Sequence, residues 1–138
     1  MNKMKDRIAG IILTLLSLLL TVGVKTLFSA CGAKDDGSFM SCHYAEQAVF
    51  GMGIALTVIS VCVLISGGSR IGTGCAVALI PAGAVTLFTP GVLINLCMMP
   101  NMHCHTVMHP AVSVICGLII AAAAVHVFLS LRKRGERK

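Results

Sequence analysis

Long runs of apolar residues alternate with short polar segments along the chain. Four such runs lie at about residues 8–28, 48–65, 74–96 and 111–131. A bilayer core of about 30 Å needs roughly 20 apolar residues in a helix, and each run is close to that length. Because lipid offers the backbone no hydrogen-bond partners, each run is expected to be a helix. The pattern therefore predicts an all-α membrane protein with four transmembrane helices in one domain, residues 1–138.

The composition agrees with this prediction, since only 12% of the residues are charged against about 25% in soluble domains. Two prolines, Pro81 and Pro90, lie in the third run and are expected to bend that helix. His126 is an ionisable residue inside the fourth run and is therefore a functional candidate. Its position about two turns before Arg132 favours the simpler expectation that its side chain reaches the membrane interface.

Basic residues indicate the orientation. They cluster at both termini and in the connection between the second and third runs: Lys3, Lys5, Arg7, Arg70, Arg132, Lys133, Arg134, Arg137 and Lys138. The other two connections contain only Lys25 and Lys34, beside three acidic residues. Because basic segments favour the cytoplasm, both termini are predicted to be cytoplasmic, with external loops at about residues 29–47 and 97–110. The basic tail is explained by topology and lipid headgroups and does not require nucleic acid.

The first run also has an alternative interpretation as a signal peptide. The segment Leu27-Phe28-Ser29-Ala30-Cys31 resembles a lipoprotein cleavage site, although Phe28 is a poor fit to that pattern. Cleavage there would leave three spans.

A four-residue word, Met-x-Cys-His, occurs twice, at residues 40–43 and 102–105. Each copy follows another cysteine, Cys31 or Cys97, and precedes an apolar run. Two tandem helical hairpins related by a pseudo-two-fold axis along the membrane normal would explain this and would bring the two words towards each other. Coincidence in a chain rich in Met and Cys is the alternative.

The cysteines divide by predicted depth. Four are predicted to be external: Cys31, Cys42, Cys97 and Cys104. An even set in an oxidising compartment is typical of two disulfides, and three pairings are open, of which 31–42 with 97–104 is the simplest. The remaining cysteines, Cys62, Cys75 and Cys116, lie within the spans and are expected to be small buried hydrophobes.

The predicted external loops are also rich in soft and imidazole ligands. The candidate metal ligands are Met40, Cys42, His43, Met98, Met102, Cys104, His105 and His109. Thiolate and thioether groups suit Cu(I), and imidazole suits several transition metals. His105 and His109 are four residues apart at the start of the fourth helix, a spacing at which two side chains can share one ion. The simpler interpretation is that the methionines, with Met108, fill the space between helix ends and that the histidines cap loops.

A membrane thiol-disulfide oxidoreductase is a further hypothesis. Quinone-linked enzymes of this kind resemble the chain in architecture, but their reactive Cys-x-x-Cys pair is absent here. The sequence also has no phosphate-binding Walker loop, nucleophile elbow or paired-carboxylate motif. These absences favour a protein that is not an enzyme.

The segments Met40–Glu46 and Cys97–Cys104, set in a four-span chain, resemble a family of small bacterial four-pass membrane proteins with a domain of unknown function and external loops rich in Cys, Met and His. The resemblance covers nearly the whole chain. It implies a four-helix fold in the bacterial plasma membrane, and by analogy a role beside larger transport machinery.

The preferred function is therefore binding or handling of a soft metal such as Cu(I) at an external cap. The alternatives are a disulfide-stapled accessory subunit of a larger membrane complex or homo-oligomer, and thiol redox chemistry. The lipid bilayer is the expected partner in every case.

Overall fold

A computed structural model describes residues 2–27, 41–93 and 104–136. It contains four α-helices and one π-helical turn: α1 (Asn2–Thr26), α2 (Ser41–Ser66), α3 (Arg70–Phe88), the π-helical turn (Cys104–Met108) and α4 (His109–Gly135). All four α-helices are long and apolar enough to cross a membrane. The predicted all-α, four-helix fold is thus confirmed, and the chain is a multi-pass membrane protein.

The helices run alternately up and down, each packed against its neighbours in sequence, and α4 closes the ring against α1. In the first hairpin Thr21 of α1 meets Thr57 of α2, and further along α1 Lys25 meets Glu46. In the second hairpin Thr73 of α3 meets Ser130 of α4. The bundle therefore has two ends. The end of α1 and the starts of α2 and α4 form what we call the thiol end. The start of α1, the α2–α3 turn and the end of α4 form the basic end.

Each hairpin contains a glycine where the two helices approach closely. A Cβ atom added at Gly10 of α1 would lie 2.9 Å from the backbone Cα of Leu64 on α2. One added at Gly83 of α3 would lie 2.9 Å from the side chain of Ile120 on α4. Between helices in lipid the hydrophobic effect contributes little, so van der Waals contact made possible by small residues is the main attraction.

Hydroxyl groups supply the second kind of contact between helices. Ser17 and Ser60 join α1 to α2 at 3.4 Å, Thr21 and Thr57 at 3.3 Å, and Thr73 joins Ser130 at 2.7 Å. Most of these hydroxyls can instead donate their single hydrogen to the carbonyl four residues earlier in their own helix, as Thr21 does to Ser17. These bonds give the hydroxyl groups the hydrogen-bond partners that lipid cannot provide.

Side chains that point away from the bundle are mostly large and apolar. Examples on different helices are Leu15, Val58 and Phe128, each at least 60% exposed, whereas Leu13, Leu56 and Ile119 are fully buried. A soluble protein would not present so much apolar surface. The outer surface is therefore suited to contact with lipid chains.

The helix ends differ from the predicted spans. α1 begins at Asn2 and α2 at Ser41, well before the apolar runs that start at 8 and 48, because a helix continues through polar residues as long as its backbone bonds are made. α3 ends earlier than its apolar run, at Phe88 and not near residue 96. Pro90 cannot donate a backbone hydrogen bond, and it follows the end of α3, so the expectation that it bends the helix was wrong. Pro81 does lie inside α3.

His126 does not reach the membrane interface, so that expectation was also wrong. Its side chain faces the interior of the bundle, with 2% of its surface exposed. Neither ring nitrogen has a hydrogen-bond partner among the described residues. One turn further along α4, the hydroxyl of Ser130 is hydrogen-bonded to that of Thr73 at 2.7 Å. Among the described residues, His126 is thus the one whose buried side-chain nitrogens lack hydrogen-bond partners.

The close approach at Gly10 yields a stability prediction. Gly10→Ala places a methyl group against the backbone of α2 and should lower the free energy of unfolding by about 1–3 kcal/mol. Gly51→Ala is the matched control, because a Cβ there has no neighbour within 4 Å, and it should stabilise α2 by up to about 1 kcal/mol. Thermal unfolding in detergent, followed by helical circular dichroism, measures both. Equal effects would contradict the packing described for α1 and α2.

The unpaired imidazole of His126 yields a second stability prediction. His126→Leu has similar volume and removes two buried, unbonded nitrogens, so the free energy of unfolding should rise by about 1–3 kcal/mol. Ser130→Ala, on the same face of α4, breaks a bond to Thr73 and should lower it by about 0.6 kcal/mol. The same melts measure both variants. A loss of stability in His126→Leu would show that the imidazole is satisfied in the membrane.

Candidate functional site

The two Met-x-Cys-His words lead into helices that begin at the same end of the bundle. Cys42 is the second residue of α2, and Cys104 is the first residue of the π-helical turn before α4. Because α2 and α4 run in the same direction, both backbone positions lie at the thiol end. The words therefore precede equivalent points of the two hairpins.

The start of α2 is held by an ion pair to the end of α1. Lys25 Nζ lies 2.8 Å from Glu46 Oε1, and the glutamate side chain is only 9% exposed. The same ammonium group lies 5.2 Å from the ring centre of Phe50, within the range of a cation–π contact. Cys42 stands one helical turn before Glu46, so this pair fixes the part of α2 that carries the first word.

His43 follows Cys42 and is partly exposed. Its ring meets that of Tyr44 edge to face, with 6.2 Å between the centroids. Tyr44 itself is 62% exposed. The imidazole of the first word thus lies at the surface of the bundle end, where a ligand can reach it.

The start of α4 is held by packing. Met108, at the end of the π-helical turn, is fully buried in the core. The next residue, His109, is exposed, and its ring covers Gly91, where a Cβ would be 3.5 Å from both Cδ2 and Nε2. Gly91 also has a positive φ of 100°, which favours glycine. Met108 thus has the space-filling role proposed for the methionines, and His109 stays available.

The π-helical turn changes the local spacing. Its backbone bonds run from i to i+5, so residues 104–108 are wound more widely than an α-helix. The α-helical argument that places His105 and His109 on one face therefore does not apply unchanged, and their sharing of one ion stays a prediction. Wide turns of this kind are frequent at functional sites.

The structure describes only part of the predicted ligand set. It gives the side chains of His43 and His109, and the backbone positions of Cys42, Cys104 and His105. The other ligand and disulfide candidates lie outside the described residues: Cys31, Met40, Cys97, Met98 and Met102. Within the described ranges, no three His, Cys, Asp or Glu residues are grouped to hold a metal ion. The metal site and the disulfides therefore stay predictions.

The cysteines of the spans are all free, but they do not share one environment. Cys116 is buried in the core, as predicted. Cys62 is exposed on the lipid-facing side of α2, and Cys75 is intermediate. The expectation of small buried hydrophobes is thus correct for Cys116 and wrong for Cys62, because every residue of an apolar helix is compatible with lipid.

Sequence reasoning missed a polar cluster at the basic end. Lys133 Nζ of α4 lies 3.0 Å from Asp6 Oδ2 of α1, and only 11% of the aspartate side chain is exposed. The residues are 127 positions apart, so no local pattern joins them. A lone acidic residue among Lys3, Lys5 and Arg7 was the available signal.

Comparison with known proteins places the chain in a family. No curated protein and no solved structure matches it. A family model described as "Domain of unknown function (DUF4418)" matches residues 13–129, which include most of all four helices. The chain therefore belongs to the DUF4418 family, a family of unknown function, as its resemblance predicted.

Proposed function

We propose that the protein binds or handles a soft metal ion such as Cu(I) at the thiol end. Met40, Cys42, Met102 and Cys104 are the proposed principal ligands, with His43, Met98, His105 and His109 as additional donors. Sulfur ligands of this kind suit Cu(I), which needs only a few of them.

The observation that carries this proposal is the common start of α2 and α4. Cys42 lies in the first turn of α2 and Cys104 in the π-helical turn that leads into α4, so both words are attached at one end of the bundle. Two rigid attachment points are what a site shared between two loops requires. The exposed imidazole of His109 adds a donor at the same end.

We also propose that the thiol end faces the outside of a bacterial plasma membrane. The support is the distribution of charge. Of the basic side chains that the structure describes, Lys25 alone belongs to the thiol end, and the rest belong to the basic end: Lys5, Arg7, Arg70, Arg132, Lys133 and Arg134. Such asymmetry favours a cytoplasmic basic end with both termini inside.

A second candidate function is that of a disulfide-stapled accessory subunit in a larger membrane complex. It is favoured by the cysteine count: the three cysteines of the spans are free, which leaves an even set of four, Cys31, Cys42, Cys97 and Cys104. Two disulfides would then hold the loops without metal. Thiol redox chemistry is the weaker third candidate, because the sequence has no Cys-x-x-Cys pair.

The metal proposal is tested by removing its four principal ligands. Cys42→Ser and Cys104→Ser, combined with Met40→Leu and Met102→Leu, should abolish stoichiometric Cu(I) binding by protein purified under reducing conditions. The Leu changes preserve volume and apolarity, so folding should survive. In the unchanged protein, binding should weaken as the pH falls because protons compete for the thiolates. Copper content and competition with a Cu(I) chelator measure both effects.

Cys62→Ser with Cys75→Ser is the matched control, since these thiols lie in the membrane spans near the basic end, and it should bind copper normally. Copper retained by the quadruple variant would rule the site out. A thiol count on unreduced protein separates the first two candidates. Two unreactive thiols that metal removal exposes support the metal site, and four that only reduction exposes support the disulfides.

The orientation is tested independently of the metal. A reporter fused after Lys138 should be active only in the cytoplasm. A thiol introduced by Ser38→Cys should react with an impermeant reagent in intact cells, measured above the labelling of the parent chain. Ser69→Cys, in the α2–α3 turn, is the control and should react only after the membrane is opened. An external C-terminus would contradict the four-span orientation.

A further inference from the structure

The basic end has an open cavity of about 550 Å³, a size typical of small-ligand sites, which span roughly 300–1,000 Å³. The start of α1, the α2–α3 turn and the end of α4 form its walls. We call it the basic cavity. It lies at the opposite end of the bundle from the proposed metal site and does not depend on it.

Three cations line the basic cavity: Arg7, Lys133 and Arg134. The one lining carboxylate, Asp6, is paired with Lys133 at 3.0 Å. Neither arginine has an ion-pair partner among the residues that the structure describes. Two exposed arginines with no ion-pair partner therefore line one open cavity, and guanidinium groups bind phosphate oxygens in pairs of parallel hydrogen bonds.

The α2–α3 turn adds neutral donors to these charges. Ser66 and Ser69 at this turn line the cavity, together with Ser130 of α4. Ser69 is also the N-cap of α3, where its oxygen accepts from the backbone N–H of Gly72 at 3.2 Å. The positive end of a 19-residue helix thus begins at the cavity wall, and such ends favour anions.

The turn is fixed in place against α1. Gly67 has a φ of 52°, which favours glycine. A Cβ atom on Gly68 would lie 2.6 Å from Asp6 Oδ2, so any larger residue would displace the carboxylate that pairs with Lys133. The wall of the cavity is therefore a packed structure that joins three helices.

Apolar residues complete the lining on the lipid side. Leu64 and Ile65 belong to the last turns of α2, and Ile65 is 81% exposed on the outer surface of the bundle. The phosphate group of a ligand with attached hydrocarbon would contact the cations, and its hydrocarbon would contact Leu64 and Ile65.

We propose that the basic cavity binds the phosphate group of an anionic phospholipid, with Arg7 and Arg134 as its principal ligands. The hydroxyls of the turn and the start of α3 complete the phosphate site, and the acyl chains leave past Ile65 into the bilayer. A soluble phosphate compound shares the same chemistry, and the experiment distinguishes the two sources.

The test uses the full-length protein in detergent micelles, titrated with phosphatidylglycerol, phosphatidylcholine or inorganic phosphate. Native mass spectrometry counts bound lipid, and the shift of the unfolding temperature measures the apparent affinity. Phosphatidylglycerol should bind at one site and more tightly than phosphatidylcholine. Arg7→Gln with Arg134→Gln should weaken it at least tenfold, about 1.4 kcal/mol.

A matched pair separates a built site from general surface charge. Arg70→Gln with Arg132→Gln removes the same charge from the same end, but Arg70 and Arg132 do not line the basic cavity. Arg132 faces a separate cavity of about 160 Å³ that also has the carboxylates of Asp6 and Glu136. This pair should weaken binding less than about threefold, under 0.7 kcal/mol.

Equal losses in the two pairs, or no loss in either, would overturn the proposal. Inorganic phosphate that stabilises the protein through Arg7 and Arg134, when phosphatidylglycerol does not, would keep the phosphate site and overturn its lipid source. If the double variant fails to fold, Arg134→Gln alone against Arg132→Gln decides, because both residues are exposed in the last turns of α4.

Discussion

Hydrogen bonding without water is the constraint on which this structure depends. In lipid a buried polar group has only the protein itself as a partner. The serines and threonines of the spans meet this condition locally, because Thr14, Ser60 and Thr86 each donate to the carbonyl four residues earlier. Where two such hydroxyls face each other across a hairpin, as Thr73 and Ser130 do, the same groups also join the helices.

Close approach of the helices follows from the same environment. Apolar side chains are as favourable in contact with lipid as in a protein core. Burying them therefore does not by itself bring two helices together. Gly10 and Gly83 instead allow backbone and side chain to come into van der Waals contact within each hairpin. The core that results is narrow, and most of the large apolar side chains, such as Phe128, face outward.

The two ends of the bundle are chemically different, and in the part of the chain that the structure describes an ion pair joins two helices at each end. Lys25 and Glu46 join α1 to α2 at the thiol end, where the partly exposed His43 and exposed His109 lie. Asp6 and Lys133 join α1 to α4 at the basic end, beside a cavity with two further arginines. The side chains proposed as ligands therefore lie at the two ends of the bundle, where polar groups are compatible with the membrane interface.

The sequence by itself determined the number of helices, their apolar character and the family resemblance, because transmembrane helices need long apolar runs and little else. It also determined that Cys42 and Cys104 lie at the same end of the bundle, since an even number of spans returns the chain to the same side. It did not determine the helix ends. Hydropathy measures contact with lipid, whereas α2 continues to Ser41 through polar residues and α3 ends early, before Pro90.

Only the tertiary structure decided which faces of α2, α3 and α4 are buried, because these apolar helices have almost no amphipathic pattern to indicate it. His126 was expected at the interface and lies in the core, and Cys62 was expected in the core and faces outward. The pairing of Asp6 with Lys133 and the cavity beside it depend on the first and last helices meeting, 127 residues apart in the chain. A local pattern cannot contain that contact, since it arises only when the ring of four helices closes.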